Sequence, residues 1–240
     1  MKPVKWGIIS TAKIGMEKVT PGMMKSADIE VVAIASRSLK TARAAAAKLG
    51  IPKAYGSYEE MLADPEIEAV YNPLPNHLHV PLALAAAKAG KHVLCEKPIA
   101  ITAREAAKLR KVSKGIHVAE AFMVRHAQQW IEARARVRKG EIGALGAIQV
   151  FFTYFNRAPK NVRNMADIGG GGLYDIGCYP ITVARFMFGA EPKRVIATFD
   201  RDPKFKTDRL ASGIADFGNG RQLTFVVSTQ LAPWQRVNMA

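Results

Sequence analysis

The stretch His92-Val93-Leu94-Cys95-Glu96-Lys97-Pro98 decides how the rest of the chain is read. Four residues of buried-strand character run into a charged pair, and Pro98 lacks the amide that would continue a ladder. In an open α/β sheet, ligands gather where parallel strands end. Lys97 therefore stands where a ligand is expected. Taken alone, Glu96-Lys97 reads as two solvated surface charges, since exposed ion pairs contribute little. The flanking sequence has to decide.

Working outward, apolar runs alternate with helical ones on both sides. Upstream lie a strand at Ala69–Asn72 and a helix from Val80 to Ala89 that stops at Gly90; downstream lie a helix at Ala103–Ser113 and a strand at His117–Ala121. Earlier still, Val4–Ile9 forms a strand, and Ser10-Thr11-Ala12-Lys13-Ile14-Gly15 turns into a helix. Ile29–Ala35 is almost continuously apolar, the mark of a parallel strand covered on both faces. An Ala-rich helix at Thr41–Leu49 ends at Gly50, a suitable C-cap, and Ser57 with Glu60 forms a capping box. This β-α alternation predicts a doubly wound, Rossmann-type parallel sheet.

Near Gly140 the pattern changes. After the turn-rich Glu141–Gly146, strands are expected at Ala147–Phe155, Val195–Asp200, Ser212–Asp216 and Gln222–Ser228. A Gly-rich turn from Gly169 and a helical run at Tyr179–Met187 interrupt them. Strands with few helices predict an α+β domain with a mostly antiparallel sheet. The expected division is residues 1–122 and 123–240. Trp234–Met239 resembles the beginning of another strand where the sequence stops, so an incomplete sheet with an exposed edge is expected.

Composition narrows the classes. The 240 residues suffice for one large or two modest domains, and a mean hydropathy of −0.01 suits a globular chain. No apolar run matches a membrane span, and Met1–Trp6 carries no signal-peptide pattern. Cys95 and Cys178 have neither metal-ligand spacing nor a disulfide framework, so no metal is expected and a reduced, cytoplasmic protein is. Thirty-five Lys+Arg against 20 Asp+Glu give a net charge of +15, which favours anionic ligands. The basic residues are dispersed, as at Arg134, Arg136, Arg138 and Lys139, without interleaved aromatics for base stacking. Nucleic acid is therefore not the expected partner.

Two turns speak to a dinucleotide. The first βα turn is where glycines let helix N-terminal amides approach a pyrophosphate. Here Ser10 and Ala12 stand at the first two glycine positions, and only Gly15 remains. At the end of the second strand, an NAD site wants an acidic residue for the ribose 2′-hydroxyl. The chain has Ser36-Arg37-Ser38, whose guanidinium and hydroxyls suit a 2′-phosphate. If a dinucleotide binds, NADP is expected over NAD.

Three stretches together resemble the glucose–fructose oxidoreductase/inositol dehydrogenase (Gfo/Idh/MocA) family. They are Asn72-Pro73-Leu74-Pro75-Asn76-x-x-His79, Ala89-Gly90-Lys91-His92-Val93-Leu94-Cys95-Glu96-Lys97-Pro98, and Gly170-Gly171-Gly172-Leu173-Tyr174-Asp175-Ile176-Gly177-Cys178-Tyr179. Tyr179, where many members carry His, is most similar to the NADP-linked xylose and dimeric dihydrodiol dehydrogenase branch.

The resemblance implies an oxidoreductase moving a hydride between NADP and a polyol, aldose or cyclic diol. It further implies that Lys97 and Tyr179 share the proton transfer. A phenol with a pKa near ~10 is a poor base, and an adjacent ammonium lowers that value. Asp175, four residues before Tyr179, shares its face if the segment is helical; it would bind a substrate hydroxyl or orient the pair. Without the resemblance, Asp175 reads as a helix N-cap and Tyr179 as a half-buried aromatic. Implied cofactor contacts are Ser10, Thr11, Ala12, Ile14, Ser36, Arg37, Ser38, Leu74, Pro75, Asn76, His79, Glu96 and Lys97. Asn76 and His79 are expected at the cofactor or capping the next helix, with His77 exposed. Tyr154, Asn156, Arg163 and Asn164 are expected on the substrate side; Arg125 and His126 receive no role. A homo-oligomer through the second-domain sheet is expected if that sheet is complete. The other reading is a non-catalytic dinucleotide-binding sensor or scaffold, because the second domain is short for the family.

Overall fold

The computed structural model describes residues 2–240. The chain divides into two compact units, one running to Ala121 and one from Phe122 to Ala240.

The first unit is built on six parallel strands: β1 (Val4–Ile9), β2 (Ile29–Ala35), β3 (Lys53–Tyr55), β4 (Ala69–Asn72), β5 (His92–Cys95) and β6 (Val118–Glu120). Their order is β3-β2-β1-β4-β5-β6. Successive side chains of a strand point to opposite faces. Ile8, Ile34 and Tyr71 accordingly enter one core layer, and Ile9, Val70 and Val93 the other. The helices are α1 (Thr20–Met23), α2 (Leu39–Leu49), α3 (Tyr58–Ala63), α4 (His79–Lys88) and α5 (Ala103–Lys108). Ala45 and Ala46 of α2 cover the first layer; Met61 and Leu62 of α3 and Ala83 and Ala86 of α4 cover the second. The apolar strand runs are thus explained by burial on both faces.

Local rules account for most boundaries. Helix α2 starts two residues earlier than the apolar pattern suggests, because the Ser38 hydroxyl accepts from Thr41 N. It ends on Gly50 at φ +69°. At α3 the Ser57 hydroxyl accepts from Glu60 N, but the Glu60 carboxylate reaches back to Gly56 N, one residue beyond a strict capping box. Strand β3 has no apolar run to announce it. It is held by tertiary contacts, with Lys53 Nζ and Tyr55 OH both donating to Asp64 Oδ2 at 2.7 Å. Those bonds hold the Asp64 pKa at about 2 against the desolvation that opposes them.

The second unit contains α6 (Gln128–Arg138), α7 (Cys178–Phe188) and five strands: β7 (Ala147–Phe155), β8 (Arg194–Arg201), β9 (Asp208–Gly218), β10 (Arg221–Ser228) and β11 (Gln230–Met239). The strand order is β11-β7-β10-β9-β8. Three of the four pairings are antiparallel, while β7 and β10 run parallel. Those two are separated in the chain by α7, β8 and β9, so their common direction follows from a crossover connection. Alternation divides the sheet. Ile148, Val150, Leu223, Val227 and Phe217 face a core closed by Val183, Ala184 and Met187 of α7. Phe151, Phe155, Ile196 and Ile214 are exposed on the other face, and the edge strand β8 is exposed along its whole length, Val195 included. The terminal stretch is a full strand, β11, paired along β7; its register shifts between Gln230 and Trp234, around Pro233, a residue suited to an edge strand.

Candidate functional site

In the first unit the expected ligand residues lie where the parallel strands end. After β1, Ser10 adopts φ +93°, a left-handed conformation that glycine takes without cost and serine does not. Its hydroxyl accepts from Ala12 N at 3.0 Å, closing the turn on itself. Thr11 and Ala12 are half-buried, and Ile14 is an apolar side chain left 45% exposed. Gly15 opens a π-helical turn, Gly15–Val19, that runs into α1.

After β2, Ser36 N donates to Tyr55 O, Arg37 is exposed, and Ser38 caps α2. As an N-cap, the Ser38 oxygen accepts, leaving its hydroxyl hydrogen free to donate. The local set is one guanidinium, two hydroxyls and a helix N-terminus, with no carboxylate from Ser36 through Arg43. These are donors for a phosphate dianion. They fit the 2′-phosphate of NADP better than the bare 2′-hydroxyl of NAD.

The turns after β4 and β5 are tied together. Leu74 N donates to Asn72 Oδ1, and Asn72 Nδ2 donates to the His79 carbonyl. His79 is 1% exposed, with Nε2 2.6 Å from Leu74 O and Nδ1 2.7 Å from Pro98 O. Burial pushes its pKa down, and the two carbonyls oppose the fall. A neutral imidazole carries one N–H, so His79 donates to one of these carbonyls and lies buried against the other, between the turns that carry Leu74 and Pro98. Pro75 and Asn76 sit on the same turn, half-buried, and His77 is exposed as expected. Glu96 is held by the fully buried Tyr71, whose hydroxyl donates to Oε1 at 2.6 Å. Desolvation and the Glu96 charge push the Tyr71 pKa far up, keeping it a donor. Glu96 Oε2 accepts from Lys97 N, and Ile99 N donates to Glu120 Oε1 at 2.8 Å. Lys97 therefore follows β5 on a segment held at both flanks.

In the second unit the Gly-rich turn feeds a continuous helical run, a π-helical turn Leu173–Gly177 followed by α7. Asp175 and Tyr179 both lie on it. Asp175 is not an N-cap, since it falls inside the π turn. Its carboxylate accepts from Tyr154 OH at 2.5 Å on Oδ2 and pairs with Arg163 Nε at 2.8 Å on Oδ1. Desolvation and the Asp175 charge push the Tyr154 pKa well up, so Tyr154 remains the donor. Tyr179 packs edge-on against Phe122, with ring centroids 5.1 Å apart, and against Phe152 at 5.8 Å.

Of the other residues expected beside the substrate, Asn156 Oδ1 accepts from Ala158 N. Asn164 is buried and donates through Nδ2 to the carbonyls of Asn156 and Ala158. These two asparagines shape their own loop. Tyr154 and Arg163 converge on Asp175.

One residue of consequence escaped sequence reasoning. Asp208, buried at the start of β9, accepts from Leu173 N at 2.6 Å and so caps the helical run from a strand 35 residues away. Gly171 has φ +122°, and a Cβ there would overlap Asp208 Oδ1 and lie 3.0 Å from its Cγ. A Cβ on Gly170 would meet the carbonyl oxygens of Met165 and Arg163 at 2.5 and 2.7 Å. The glycines are required by what packs on them. No spacing rule connects Asp208 to them.

Comparison with known proteins agrees with this architecture. Residues 4–126 match the model of an oxidoreductase family with an NAD-binding Rossmann fold, and residues 130–239 match the GFO/IDH/MocA C-terminal domain. An uncharacterized oxidoreductase of Rhizobium meliloti is 56% identical over 234 residues, covering 97% of this chain and 70% of the relative. A D-xylose 1-dehydrogenase (NADP(+)) of Haloferax volcanii is 40% identical over 220 residues, covering 90% and 66%. A crystal structure of a 3-ketoreductase from Actinomadura kijaniata, in complex with NADP and TDP-benzene, superposes with a TM-score of 0.93 at 28% identity. That match covers 99% of this chain and 73% of the ketoreductase. Among the described residues no helix is long and apolar enough to cross a membrane, and no cluster of metal-ligating side chains occurs.

Proposed function

The chain belongs to the GFO/IDH/MocA oxidoreductase family, and from that premise we propose that it is an NADP-dependent dehydrogenase or reductase acting on a sugar, polyol or cyclic diol. The observation that carries the proposal is the end of β2, where exposed Arg37 and two hydroxyls meet the N-terminus of α2 without a carboxylate. The relatives support it, one being named for NADP-linked xylose oxidation and another having been crystallised with NADP.

Bound NADP would accept hydride from an alcohol carbon, or NADPH would deliver it to a carbonyl. The chain's residues supply the remainder. Ser10, Thr11, Ala12 and Ile14 would line the pyrophosphate turn, and Ser36, Arg37 and Ser38 would hold the 2′-phosphate. Leu74, Pro75, Asn76 and Glu96 would border the nicotinamide side, with His79 fixing their turns. Lys97 and Tyr179 would move the proton, the ammonium favouring the phenolate so that Tyr179 accepts from the alcohol or donates to the carbonyl oxygen. Asp175 would bind a neighbouring substrate hydroxyl. Self-association through the second-unit sheet is proposed from the exposed Val195, Ile196 and Ile214. A reducing, cytoplasmic setting is part of this reading, with the Cys95 thiol fully buried.

The test is NADPH binding by fluorescence, coupled to an absorbance screen across aldoses, inositols and dihydrodiols. Turnover is expected with at least one class, and Lys97→Met or Tyr179→Phe should each lower kcat ~10²–10⁴-fold with NADPH affinity nearly unchanged. NADPH binding without turnover in the whole panel would favour a sensor or scaffold. Near-normal kcat in either variant would remove the Lys97–Tyr179 assignment.

A further inference from the structure

Asp175 precedes Tyr179 by four residues on one continuous helical run. An ionised carboxylate so near opposes the chemistry proposed above, because a like charge disfavours forming the phenolate.

Arg163 answers this. Its Nε pairs with Asp175 Oδ1 at 2.8 Å, while Oδ2 accepts from Tyr154 OH at 2.5 Å, so both carboxylate oxygens are engaged. Burial disfavours the Arg163 cation, yet Asp175, Tyr154 and Tyr179 together raise its pKa above the ordinary arginine value. Tyr179 therefore lies within the electrostatic reach of the guanidinium. Within this unit Arg163 bears on Tyr179 directly, and Arg163 is in turn tied to Asp175 and, through that carboxylate, to Tyr154 of β7. Phe122 and Phe152 pack against its ring, and Lys97 joins by the function proposed above.

We propose that Arg163 is a positioning residue for proton transfer at Tyr179: its guanidinium anchors Asp175 and offsets the Asp175 charge, so that Tyr179 ionises at lower pH than it otherwise would. The loop that carries Arg163 does not depend on the guanidinium. Arg163 O accepts from Gly171 N at 2.9 Å, and Asn161 Oδ1 caps Arg163 N at 3.0 Å. Side-chain variants are thus expected to keep the turn. The proposal rests on Tyr179 being the proton-transfer group, and its test separates the two.

The experiment is a phenolate-absorbance titration of the cofactor-free chain, with Tyr179→Phe subtracted to isolate Tyr179, beside kcat/KM against pH. In Arg163→Met the Tyr179 midpoint should rise by about one pH unit, the acid limb of kcat/KM should move with it, and activity near neutral pH should fall roughly tenfold. Arg163→Lys, which restores the charge, should recover most of the shift; Tyr154→Phe, which leaves the ion pair intact, should move the midpoint less. KM for NADPH should stay unchanged in all three. An unmoved Tyr179 midpoint in Arg163→Met overturns the proposal, even if activity falls, since that marks a purely structural role. A shifted midpoint combined with normal turnover in Tyr179→Phe removes Tyr179 from the chemistry and ends the catalytic role of Arg163 with it.

Discussion

Two turns, one in each unit, solve similar problems by different means. Ser10–Gly15 and Gly169–Gly172 each contain positive-φ backbone, at Ser10 in the one and at Gly169 and Gly171 in the other, and each runs through a five-residue π turn into an α-helix. Single π turns of this kind occur frequently at functional sites. In the first, the strained position is held by a serine whose own hydroxyl satisfies the Ala12 amide. In the second both such positions are glycines, and the amide of Leu173 is satisfied by Asp208 arriving from β9. The first turn is self-contained, and a Cβ on its one glycine would meet its neighbours only at ordinary contact distance, 3.5 Å or more. The second is filled by its neighbours. That difference matches the roles proposed for them: one admits a ligand's phosphates, and the other sets the register of Asp175 and Tyr179.

Adding a methyl group to each turn should expose the contrast most strongly. At Gly171, alanine combines φ +122° with overlap on the Asp208 carboxylate. Backbone strain and overpacking each cost ~1–3 kcal/mol, so Gly171→Ala is expected to destabilise the second unit by about 3 kcal/mol or more. At Gly15 the nearest atom to an added Cβ is Pro73 Cγ at 3.5 Å, ordinary contact distance. Gly15→Ala should therefore cost less than ~1 kcal/mol, the range of Gly/Ala differences in a helix. Urea melts of the two variants decide the matter; equal losses would mean the second turn is no more tightly packed than the first.

The same contrast explains what was legible in the chain. The parallel sheet could be read because its strands are buried on both faces, so that Ile29–Ala35 and Ala69–Asn72 carry their environment in their composition. Caps at Ser57 and Gly50 could be read because capping is local, whereas the Ser38 cap was hidden by the polar start of α2. Strand β3 could not, since Lys53-Ala54-Tyr55 is fixed by Asp64 and by pairing with β2. The parallel pairing of β7 with β10 depends on a crossover through α7, β8 and β9, which alternation alone does not encode. At the candidate site, Lys97, Asp175 and Tyr179 were singled out through motif resemblance. The partners that hold Asp175 and the glycine turn, Tyr154, Arg163 and Asp208, come from distant segments. Tyr154 and Arg163 were expected on the substrate side without their bonds to Asp175 being foreseen, and Asp208 passed unnoticed, because no periodicity links a strand's first residue to a turn 35 positions earlier.

The next effect is smaller and belongs to the first unit alone. Hydrogen bonds to charged groups contribute ~1.5–3 kcal/mol, so losing the Arg37 guanidinium should weaken NADP binding by roughly 10–100-fold. Arg37→Asp also places a carboxylate where a ribose 2′-hydroxyl would be welcomed. NAD affinity is expected to hold or improve while NADP affinity falls. Isothermal titration with both cofactors provides the check, and a parallel loss for the two would remove the 2′-phosphate assignment. Stability of the second unit should not change in this variant.

The smallest expected effect lies at Ser10, where two contributions nearly cancel. A non-glycine residue at φ +93° carries strain of order 1–3 kcal/mol, and Ser10→Gly would release it. The same change deletes the bond from Ala12 N to the serine hydroxyl, a net contribution of ~0.5–1.5 kcal/mol. It also loosens the unfolded chain, which glycine does at ~0.5–1 kcal/mol. The sum predicts a stability change within about 1 kcal/mol of zero. Binding need not follow stability here. Deleting the hydroxyl frees the Ala12 amide for a phosphate oxygen, whereas keeping it leaves a hydroxyl hydrogen to donate to the same oxygen. Either way one donor faces the ligand, so NADP affinity should move by no more than a few-fold. A loss as large as that expected for Arg37→Asp would show that the serine hydroxyl itself grips the pyrophosphate, and that the first turn, like the second, depends on one particular side chain.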